Sequence, residues 1–328
     1  MIEIIAEIAQ GYEGSPKLTE LLTKGALESD ADYIKFQLVY ADELATPDYE
    51  YYELFKSLEM EINIWEETVT MIQTAKKQVL FDVYGLKSLN IAKNLNADGV
   101  KLSTTEFYNS LLLKETLKSF GKIYISIGGI PVDDIDSLIE HILKGDLDKI
   151  CFMYGFQAEP TPLAQNNLNK LKSLKKRYPG VKLGFMDHSS GEEEDALFLS
   201  LIALGMEIDC IEKHITLDRA LKIEDFVSAL EPSRFKEFVR IIRKFENALG
   251  SDNLQLTKLE EKYRRKATKV VVANHDLRAG YILKLEDVCL KRVGNLNFGT
   301  PIYQINDVIG KSIKKNIKCN ALIPKEAI

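Results

Sequence analysis

Short apolar runs alternate with longer amphipathic stretches from residue 3 to about residue 249. The short runs are rich in β-branched residues, which favours strands, whereas the longer stretches repeat their apolar positions with the period of a helix. This alternation is typical of a parallel sheet built from βα units. Eight strands are predicted: Glu3 to Ala9, Tyr33 to Val39, Val79 to Tyr84, Gly99 to Ser103, Lys122 to Ile127, Lys149 to Tyr154, Val181 to Met186 and Asp209 to Ile215.

The amphipathic stretches supply the helices of these units. About 250 residues and eight βα units predict an α/β fold, a (β/α)8 TIM barrel, whose chemistry lies at the carboxyl ends of the strands. The predicted helices are Leu18 to Glu28, Ile64 to Lys77, Asp133 to Leu143, Leu163 to Arg177, Glu192 to Leu204 and Pro232 to Leu249.

The segment from Tyr40 to Asn63 follows the second strand and is rich in tyrosine and acidic residues. A connection longer than about 12 residues in a compact domain is often an active-site lid. A surface helix with aromatic packing fits the same residues, so both interpretations stay open.

The last quarter of the chain no longer shows the alternation of strands and helices. Residues 251–266 are polar and charged and predict a linker with some helical character. Short apolar runs with glycine turns follow, as in Thr268 to Ala273 and Val288 to Arg292, which predicts a small β-rich domain. We therefore predict a barrel domain at 1–250, a linker at 251–266 and a cap domain at 267–328.

Charge divides the chain at nearly the same place. Residues 262–328 carry 14 Lys and Arg against 5 Asp and Glu, so this stretch is +9 while the whole chain is −6. The basic residues follow strands and turns without interleaved aromatic residues or a recognition helix, which argues against a nucleic-acid partner. A basic cap over an anionic small-molecule substrate explains the asymmetry better.

Two further features concern the compartment. The chain shows neither a signal-peptide pattern nor an apolar run of the roughly 20 residues that cross a bilayer, so we expect a cytoplasmic protein without a membrane partner. Cys151, Cys210, Cys289 and Cys319 are scattered without metal-binding spacing, and we expect four reduced, buried thiols.

Two of the four histidines fall at neighbouring strand ends. His188 follows the seventh predicted strand and His214 lies near the end of the eighth, which places both at one end of the barrel. Neutral imidazoles there can bind a divalent metal and leave positions open for substrate oxygens and water. Two histidines held by ordinary hydrogen bonds are the alternative. His141 and His275 fit surface positions.

Polar residues also end several other predicted strands. Any one of them fits an ordinary strand end, but an inward lysine at two separate ends costs desolvation unless an anion meets it. Together with a metal, they predict a site for an anionic, phosphorylated substrate. They are Glu7, Lys35, Gln37, Lys101, Thr104 and Ser126.

Motifs along nearly the whole chain resemble those of the N-acetylneuraminate (sialic acid) synthase family. They are Glu7-Ile8-Ala9-Gln10, Ala31-Asp32-Tyr33-Ile34-Lys35-Phe36-Gln37, Pro160-Thr161-Pro162, Asp187-His188-Ser189 and Glu212-Lys213-His214. The tail is similar to the family's antifreeze-like (SAF) domain, in Val271-Val272-Ala273-Asn274, Arg278-Ala279-Gly280, Leu290-Lys291-Arg292-Val293-Gly294 and Val308-Ile309-Gly310-Lys311.

The resemblance implies an enzyme that condenses phosphoenolpyruvate with an N-acetylated mannose-like sugar to give a nine-carbon keto acid and phosphate. It implies a divalent metal, Mn2+ with Mg2+ or Co2+ as alternatives, and a domain-swapped homodimer. By position, His188 and His214 would hold the metal, Glu212 would bind a water on it, and Glu7 would stabilise the cationic centre. The substrate-binding positions would be Lys35, Lys101, Thr104 and Ser126 for the donor, and Gln37, Gln157, Asp225 and Arg292 for the sugar.

The chain departs from the family's pattern at several of these places. Tyr84 stands where the family has a phosphate-contacting hydroxyl, and Met186 replaces the serine ahead of Asp187-His188. The Asn and Tyr that precede Pro-Thr-Pro become Gln157 and Glu159. We therefore expect the reaction type to be retained and the acceptor sugar to differ. The alternatives are a related barrel enzyme with another donor or aldehyde, and a non-catalytic binder of anionic sugars.

Overall fold

The computed structural model describes residues 1–158, 160–294 and 299–328. The chain forms two compact units, Met1–Gly250 and Ser251–Ile328. Among the described residues, no helix combines the length and the apolar character that crossing a bilayer requires.

Eight parallel strands close into a barrel in the first unit, with each strand paired to its sequence neighbours and β1 paired to β8. The predicted TIM-barrel class and the eight predicted strands are confirmed. The strands are β1 Glu3–Ala9, β2 Tyr33–Gln37, β3 Gln78–Asp82, β4 Gly99–Leu102, β5 Ile123–Ser126, β6 Ile150–Tyr154, β7 Lys182–Asp187 and β8 Cys210–His214.

The described residues of this unit form ten α-helices that connect or follow the strands. They are α1 Pro16–Glu28, α2 Ala41–Leu44, α3 Tyr52–Ser57, α4 Ile62–Thr74, α5 Leu86–Asn94, α6 Ser110–Ser119, α7 Val132–Leu138, α8 Asn169–Arg177, α9 Asp195–Leu204 and α10 Pro232–Leu249. The stretch predicted as one helix from Leu163 to Arg177 is instead a 3-10 turn at Leu163–Gln165 followed by α8.

The barrel interior follows the two-residue alternation of its strands. A buried apolar layer contains Ile5, Leu80, Tyr124 and Cys210, each of which is an inward residue of its strand. Two residues further along these four strands the inward residue is polar: Glu7, Asp82, Ser126 and Glu212. The alternation therefore places a ring of functional side chains directly above an apolar floor.

The segment after β2 contains the short helices α2 and α3, and part of it borders the interior of the barrel. Leu44 and Phe55 line the cavity described below, whereas Tyr49 and Tyr51 are about half exposed. Glu43 accepts hydrogen bonds from Lys87 N at 2.6 Å and Ser88 N at 3.0 Å, and so caps the start of α5. This segment is thus both a partly helical surface and a wall of the cavity.

The second unit contains α11 Lys258–Ala267 and an antiparallel pair of strands, β9 Val270–Ala273 and β10 Val288–Lys291. The capping box of Thr257 and Glu260 begins α11, within the stretch predicted as a linker. A small apolar core that includes Val271, Leu283 and Ile323 holds the unit together.

The expectation that all four cysteines are buried is wrong for two of them. Cys151 and Cys210 are buried, Cys289 is partly exposed and Cys319 is exposed, all four as free thiols. Cys319 lies in a surface turn of the second unit, which is too small to bury every side chain of its short strands and turns.

Candidate active site

A polar cavity of about 350 Å3 lies at the carboxyl ends of the barrel strands. A larger groove of about 870 Å3 runs beside α7 and α8, but its walls are mostly apolar, and the described residues that line it include no histidine or carboxylate. The chemistry is therefore concentrated in the smaller cavity. Nine of the predicted site residues line it: Glu7, Gln37, Lys101, Thr104, Ser126, Gln157, His188, Glu212 and His214.

Lys35 lies beneath this cavity and joins three carboxylates. Its ammonium group contacts Glu7, lies 3.0 Å from Asp82 Oδ1 and lies 3.4 Å from Glu212 Oε2. The side chain has no exposed surface, and burial lowers the pKa of Lys35, while the carboxylates of Asp82 and Glu212 oppose this change by favouring its charged form. The anion that an inward lysine requires is thus provided by the protein itself.

Lys101 completes the cluster from β4. Its Nζ donates to Glu212 Oε1 at 2.6 Å. Burial opposes the ionisation of Glu212, yet Lys101 and Lys35 outweigh burial and lower its pKa to about 2. Burial likewise acts against the charge of Lys101, but Glu212 and Asp82 raise its pKa above the ordinary value. Glu212 is therefore a carboxylate at neutral pH and Lys101 is a cation.

The backbone at the end of β1 orients Glu7. Pairing with β2 skips one residue between Glu7 and Ala9, and Ala9 adopts a left-handed φ of 55°. This bulge turns Ala9 N towards Glu7, which accepts its hydrogen bond at 2.7 Å through Oε1. The other oxygen, Oε2, contacts Lys35. Bulges of this kind commonly re-aim a side chain at the rim of a barrel.

The two predicted metal-binding histidines are adjacent. The ring centroids of His188 and His214 are 5.2 Å apart, and burial is the main cause that lowers the pKa of each imidazole to about 3. Both rings are therefore neutral near pH 7. The Nδ1 atoms of both rings are buried and have no hydrogen-bond partner in the described part of the chain.

These features fit a divalent cation. Neutral imidazole nitrogens are good ligands for such ions, and an unpaired buried nitrogen is costly unless something binds it. Asp225 Oδ2 lies 3.6 Å from His214 Nδ1. No group of three or more His, Cys, Asp or Glu side chains forms a ready metal site within the described ranges. A cation here would thus need oxygen ligands from substrate or water.

Predicted sugar-binding residues form the outer part of the site. Gln157 Nε2 donates to Asp225 Oδ1, and Gln10 Nε2 donates to Gln37 Oε1 at 2.7 Å. Burial raises the pKa of Asp225 although the hydrogen bond from Gln157 opposes the change. These amides and this carboxyl offer both donors and acceptors, which is what recognition of sugar hydroxyl groups requires.

Hydroxyl groups and a thioether form another part of the wall. Thr104 Oγ1 donates to Gly128 O at 3.3 Å, and Ser126 Oγ donates to Met186 Sδ at 3.6 Å. Tyr84 lines the same cavity, and burial raises the pKa of its phenol well above the usual range. The replacements noted in the sequence at Tyr84 and Met186 therefore both contribute to the cavity wall.

Two residues of the site were not predicted from the sequence. Asp82 is 2% exposed, ends β3, lines the cavity and pairs with Lys35. Gln10 also lines the cavity. The rule that polar residues at strand ends carry the chemistry would have found Asp82, because it ends its strand as Gln37 ends β2.

Two predicted residues lie outside this description. Glu159 is not among the described residues. Arg292 belongs to the second unit, where its Nε donates to Ala267 O at 2.9 Å. Its role at the sugar therefore stays a prediction.

Comparison with known proteins gives two family matches. The family model of NeuB matches residues 22–253, and that of the SAF domain matches residues 268–328. An N,N'-diacetyllegionaminic acid synthase of Campylobacter jejuni is 26% identical over 336 residues, which cover 98% of each chain. An N-acetylneuraminate-9-phosphate synthase of Mus musculus is 28% identical over 340 residues, which cover 99% of this chain and 92% of the relative.

Solved structures show the same fold. The N-acetylneuraminic acid (sialic acid) synthetase of Leptospira borgpetersenii serovar Hardjo-bovis superposes with a TM-score of 0.73 at 24% identity. The superposition covers 81% of this chain and 92% of that structure.

Proposed function

Because this chain belongs to the NeuB family, we propose that it condenses phosphoenolpyruvate with an N-acetylated mannose-like aldose to form a nonulosonic acid and phosphate. Relatives that match nearly the whole chain are named as synthases of such acids. The observation that carries the proposal is a single cavity that gathers two neutral imidazoles with a buried cluster of lysines and carboxylates.

The proposed reaction consumes one water. Carbon 3 of phosphoenolpyruvate forms a bond to the aldehyde carbon, and the aldehyde oxygen takes up a proton to become a hydroxyl group. Positive charge develops at carbon 2 and is quenched by the oxygen of water. Phosphate then leaves from carbon 2 with its bridging oxygen, so C–O cleavage yields the keto acid. A carboxylate held close to carbon 2 stabilises the cationic stage.

In this proposal, the donor binds over the charged cluster. Lys101 meets its carboxylate and phosphate groups from the cavity wall, Lys35 adds positive charge from beneath the cavity, and Thr104 and Ser126 donate hydrogen bonds to these groups. Glu7 stabilises the developing positive charge. Geometry supports this role, because contacts with Ala9 N and Lys35 hold the carboxylate of Glu7 at the edge of the cavity.

At the other end, the acceptor sugar contacts Gln37, Gln157 and Asp225, whose polar groups meet around the cavity. We include in the proposal a domain-swapped homodimer in which Arg292 of the partner subunit binds the acetamido group. The net charge of +9 at residues 262–328 supports a cap of this kind, because both the donor and the product are anions.

The proposed cofactor is Mn2+, with Mg2+ and Co2+ as alternatives, held by His188 and His214. When bound, such an ion acts as a Lewis acid that polarises the aldehyde of the acceptor. Charge balance supports a cation here: Glu7, Asp82 and Glu212 leave one negative charge in excess over the two lysines. An anionic donor is repelled by that excess, and a divalent cation reverses it.

A coupled assay tests the proposal. Purified protein is incubated with Mn2+, phosphoenolpyruvate and a panel of N-acetylated hexoses, and released phosphate is measured together with the mass of the product. We expect release with at least one mannose-like sugar and none without a sugar. Lys101→Met should reduce turnover at least 100-fold, while Lys122→Met at the opposite end of the barrel should not. If none of the sugars in the panel leads to phosphate release, the proposal is contradicted.

Tyr84 and Met186 favour one second candidate, a barrel enzyme of the same architecture with another enolate donor. Both side chains occupy cavity wall, and Met186 takes the hydrogen bond of Ser126. Calorimetry separates the two candidates: binding of phosphoenolpyruvate in the presence of Mn2+ supports the proposed reaction, and its absence favours the other donor.

A further inference from the structure

We propose that the buried ion pair of Asp187 and Lys213 is a positioning clamp that sets His188 and His214 at the spacing a divalent cation requires. This inference rests on the proposed function and extends it to residues outside the cavity. Asp187 and Lys213 contact no substrate in this proposal, so they are positioning residues and not catalytic ones.

The clamp lies on the outer side of the barrel wall. Met186 and His188 line the cavity on one strand, and Glu212 and His214 line it on the next. Because side chains alternate along a strand, the residues between them point to the opposite side. Asp187 and Lys213 are also direct partners in the register of β7 and β8. One ion pair thus joins the two strand ends behind the two imidazoles.

Every hydrogen-bonding position of the lysine is used. Lys213 Nζ donates to Asp187 Oδ1 at 3.0 Å, to Ser189 O at 3.0 Å and to Ser189 Oγ at 3.1 Å. Its side chain and that of Asp187 have no exposed surface. The ammonium group is therefore held in a single geometry.

Asp187 is equally constrained. Its Oδ1 accepts from Ser189 N at 3.0 Å and from Ser189 Oγ at 2.6 Å, and its Oδ2 accepts from Ser200 Oγ of α9 at 2.8 Å. The residues on both sides of His188 are consequently tied to Lys213, next to His214.

The clamp compensates for the absence, within the described residues, of hydrogen bonds that would fix the orientation of the two imidazole rings. A histidine that binds a metal usually donates its second ring nitrogen to a carboxylate or carbonyl group, which fixes the ring. In His188 and His214 the unpaired Nδ1 atoms are the nitrogens assigned to the cation, and within the described residues no hydrogen bond from the other ring nitrogen, Nε2, to a protein group holds either ring. Their orientation must therefore come from the backbone that carries them, and that backbone is what the clamp holds.

Stability alone does not explain the pair. A well-packed apolar pair often serves a buried site as well as an ion pair does, because desolvation cancels much of the attraction between the charges. Replacing both residues by apolar ones can therefore separate the two roles. Asp187→Leu/Lys213→Met removes the charges together, whereas Lys213→Met leaves a buried carboxylate without its cation.

The experiment measures Mn2+ affinity and thermal stability of the full chain. Free Mn2+ is titrated by electron paramagnetic resonance, and unfolding is followed through Trp65, which is buried in the barrel. We expect Lys213→Met to lower the melting temperature by roughly 10 °C. The double variant should melt within a few degrees of the wild type and still bind Mn2+ about 10- to 100-fold more weakly.

Two further variants keep the test decisive. Ser189→Ala deletes two hydrogen bonds of the clamp without leaving a charge, and we expect it to weaken Mn2+ binding several-fold while the melting temperature falls by only a few degrees. Lys122→Met, which breaks a pair at the other end of the barrel, should leave Mn2+ binding unchanged. The inference is overturned if the double variant binds Mn2+ within twofold of the wild type, or if it fails to fold and Ser189→Ala has wild-type affinity.

Failure of the proposed metal site gives a different pattern. If the wild type does not bind Mn2+, or if His188→Ala/His214→Ala binds it as tightly as the wild type, the metal site itself is refuted and the clamp inference falls with it. If the histidine variant loses binding while the clamp variants retain it, only the clamp is refuted.

Discussion

Lys35 is the residue whose removal tests the charged cluster most directly. In Lys35→Met, the carboxylates of Glu7 and Asp82 lose the cation they share, while Glu212 keeps Lys101. Removing one partner of a buried ion pair costs about 3–5 kcal/mol. Since Lys35 is fully buried, solvent does not screen the loss. We therefore expect a free energy of unfolding about 4 kcal/mol lower at pH 7, or a melting temperature about 10 °C lower.

The single tryptophan of the chain makes this change measurable in the barrel alone. Trp65 is 1% exposed, and its ring contacts those of Tyr12, Phe36 and Phe81. Urea unfolding followed by its fluorescence therefore reports the first unit. Above about pH 5 the difference from the wild type should be largest, and it should shrink in acid, because a protonated carboxyl group needs no counter-ion.

Lys122→Met is the matched control for this experiment. Lys122 pairs with Glu3 at 2.6 Å, but both side chains are 28% exposed. Its loss should cost about 1 kcal/mol or less, as for partly solvated ion pairs. A Lys35→Met protein that unfolds within about 1 kcal/mol of the wild type at pH 7 would refute the view that Lys35 neutralises the cluster.

Two further predictions concern other parts of the chain. Gly128→Ala should destabilise the barrel by about 2 kcal/mol or more, because a Cβ there would lie 1.7 Å from Gly155 O; urea unfolding checks this against Gly121→Ala, whose Cβ meets no atom within 4 Å. The hydrogen bond to Asp287 raises the pKa of His275 above 6.5, so its contribution to stability is complete below that pH and is lost as pH rises through the folded-state pKa. Titration of the His275 ring protons by NMR should show this raised pKa in the wild type and not in Asp287→Asn.

The histidine pair illustrates what the sequence can predict. The residue types and their positions at the ends of the seventh and eighth strands sufficed to predict that His188 and His214 are neighbours. The structure places their rings 5.2 Å apart. The eight-strand barrel could also be predicted from the sequence, because few other folds have eight short β-branched runs that alternate with amphipathic helices.

Lys35 illustrates what only the tertiary structure decided. The sequence indicated an inward lysine that needs an anion, and a bound substrate was the natural candidate. The fold instead brings Glu7, Asp82 and Glu212 from three other strands to that lysine. Which strands are neighbours follows from the topology, but which side chains meet depends on strand register and on the bulge at Ala9.

For the clamp of Asp187 and Lys213, the sequence likewise predicts some features and the tertiary structure determines the others. The sequence contains Asp187 and Lys213 beside the two histidines, and strand alternation already turns them away from the cavity. Only the closed barrel pairs them in register and buries both without exposed surface. The local sequence therefore determined which residue types occur at this site, which strands carry them and which side of the barrel wall each side chain faces. Long-range packing determined which of them form ion pairs, because charges interact through space between strands that are distant in sequence.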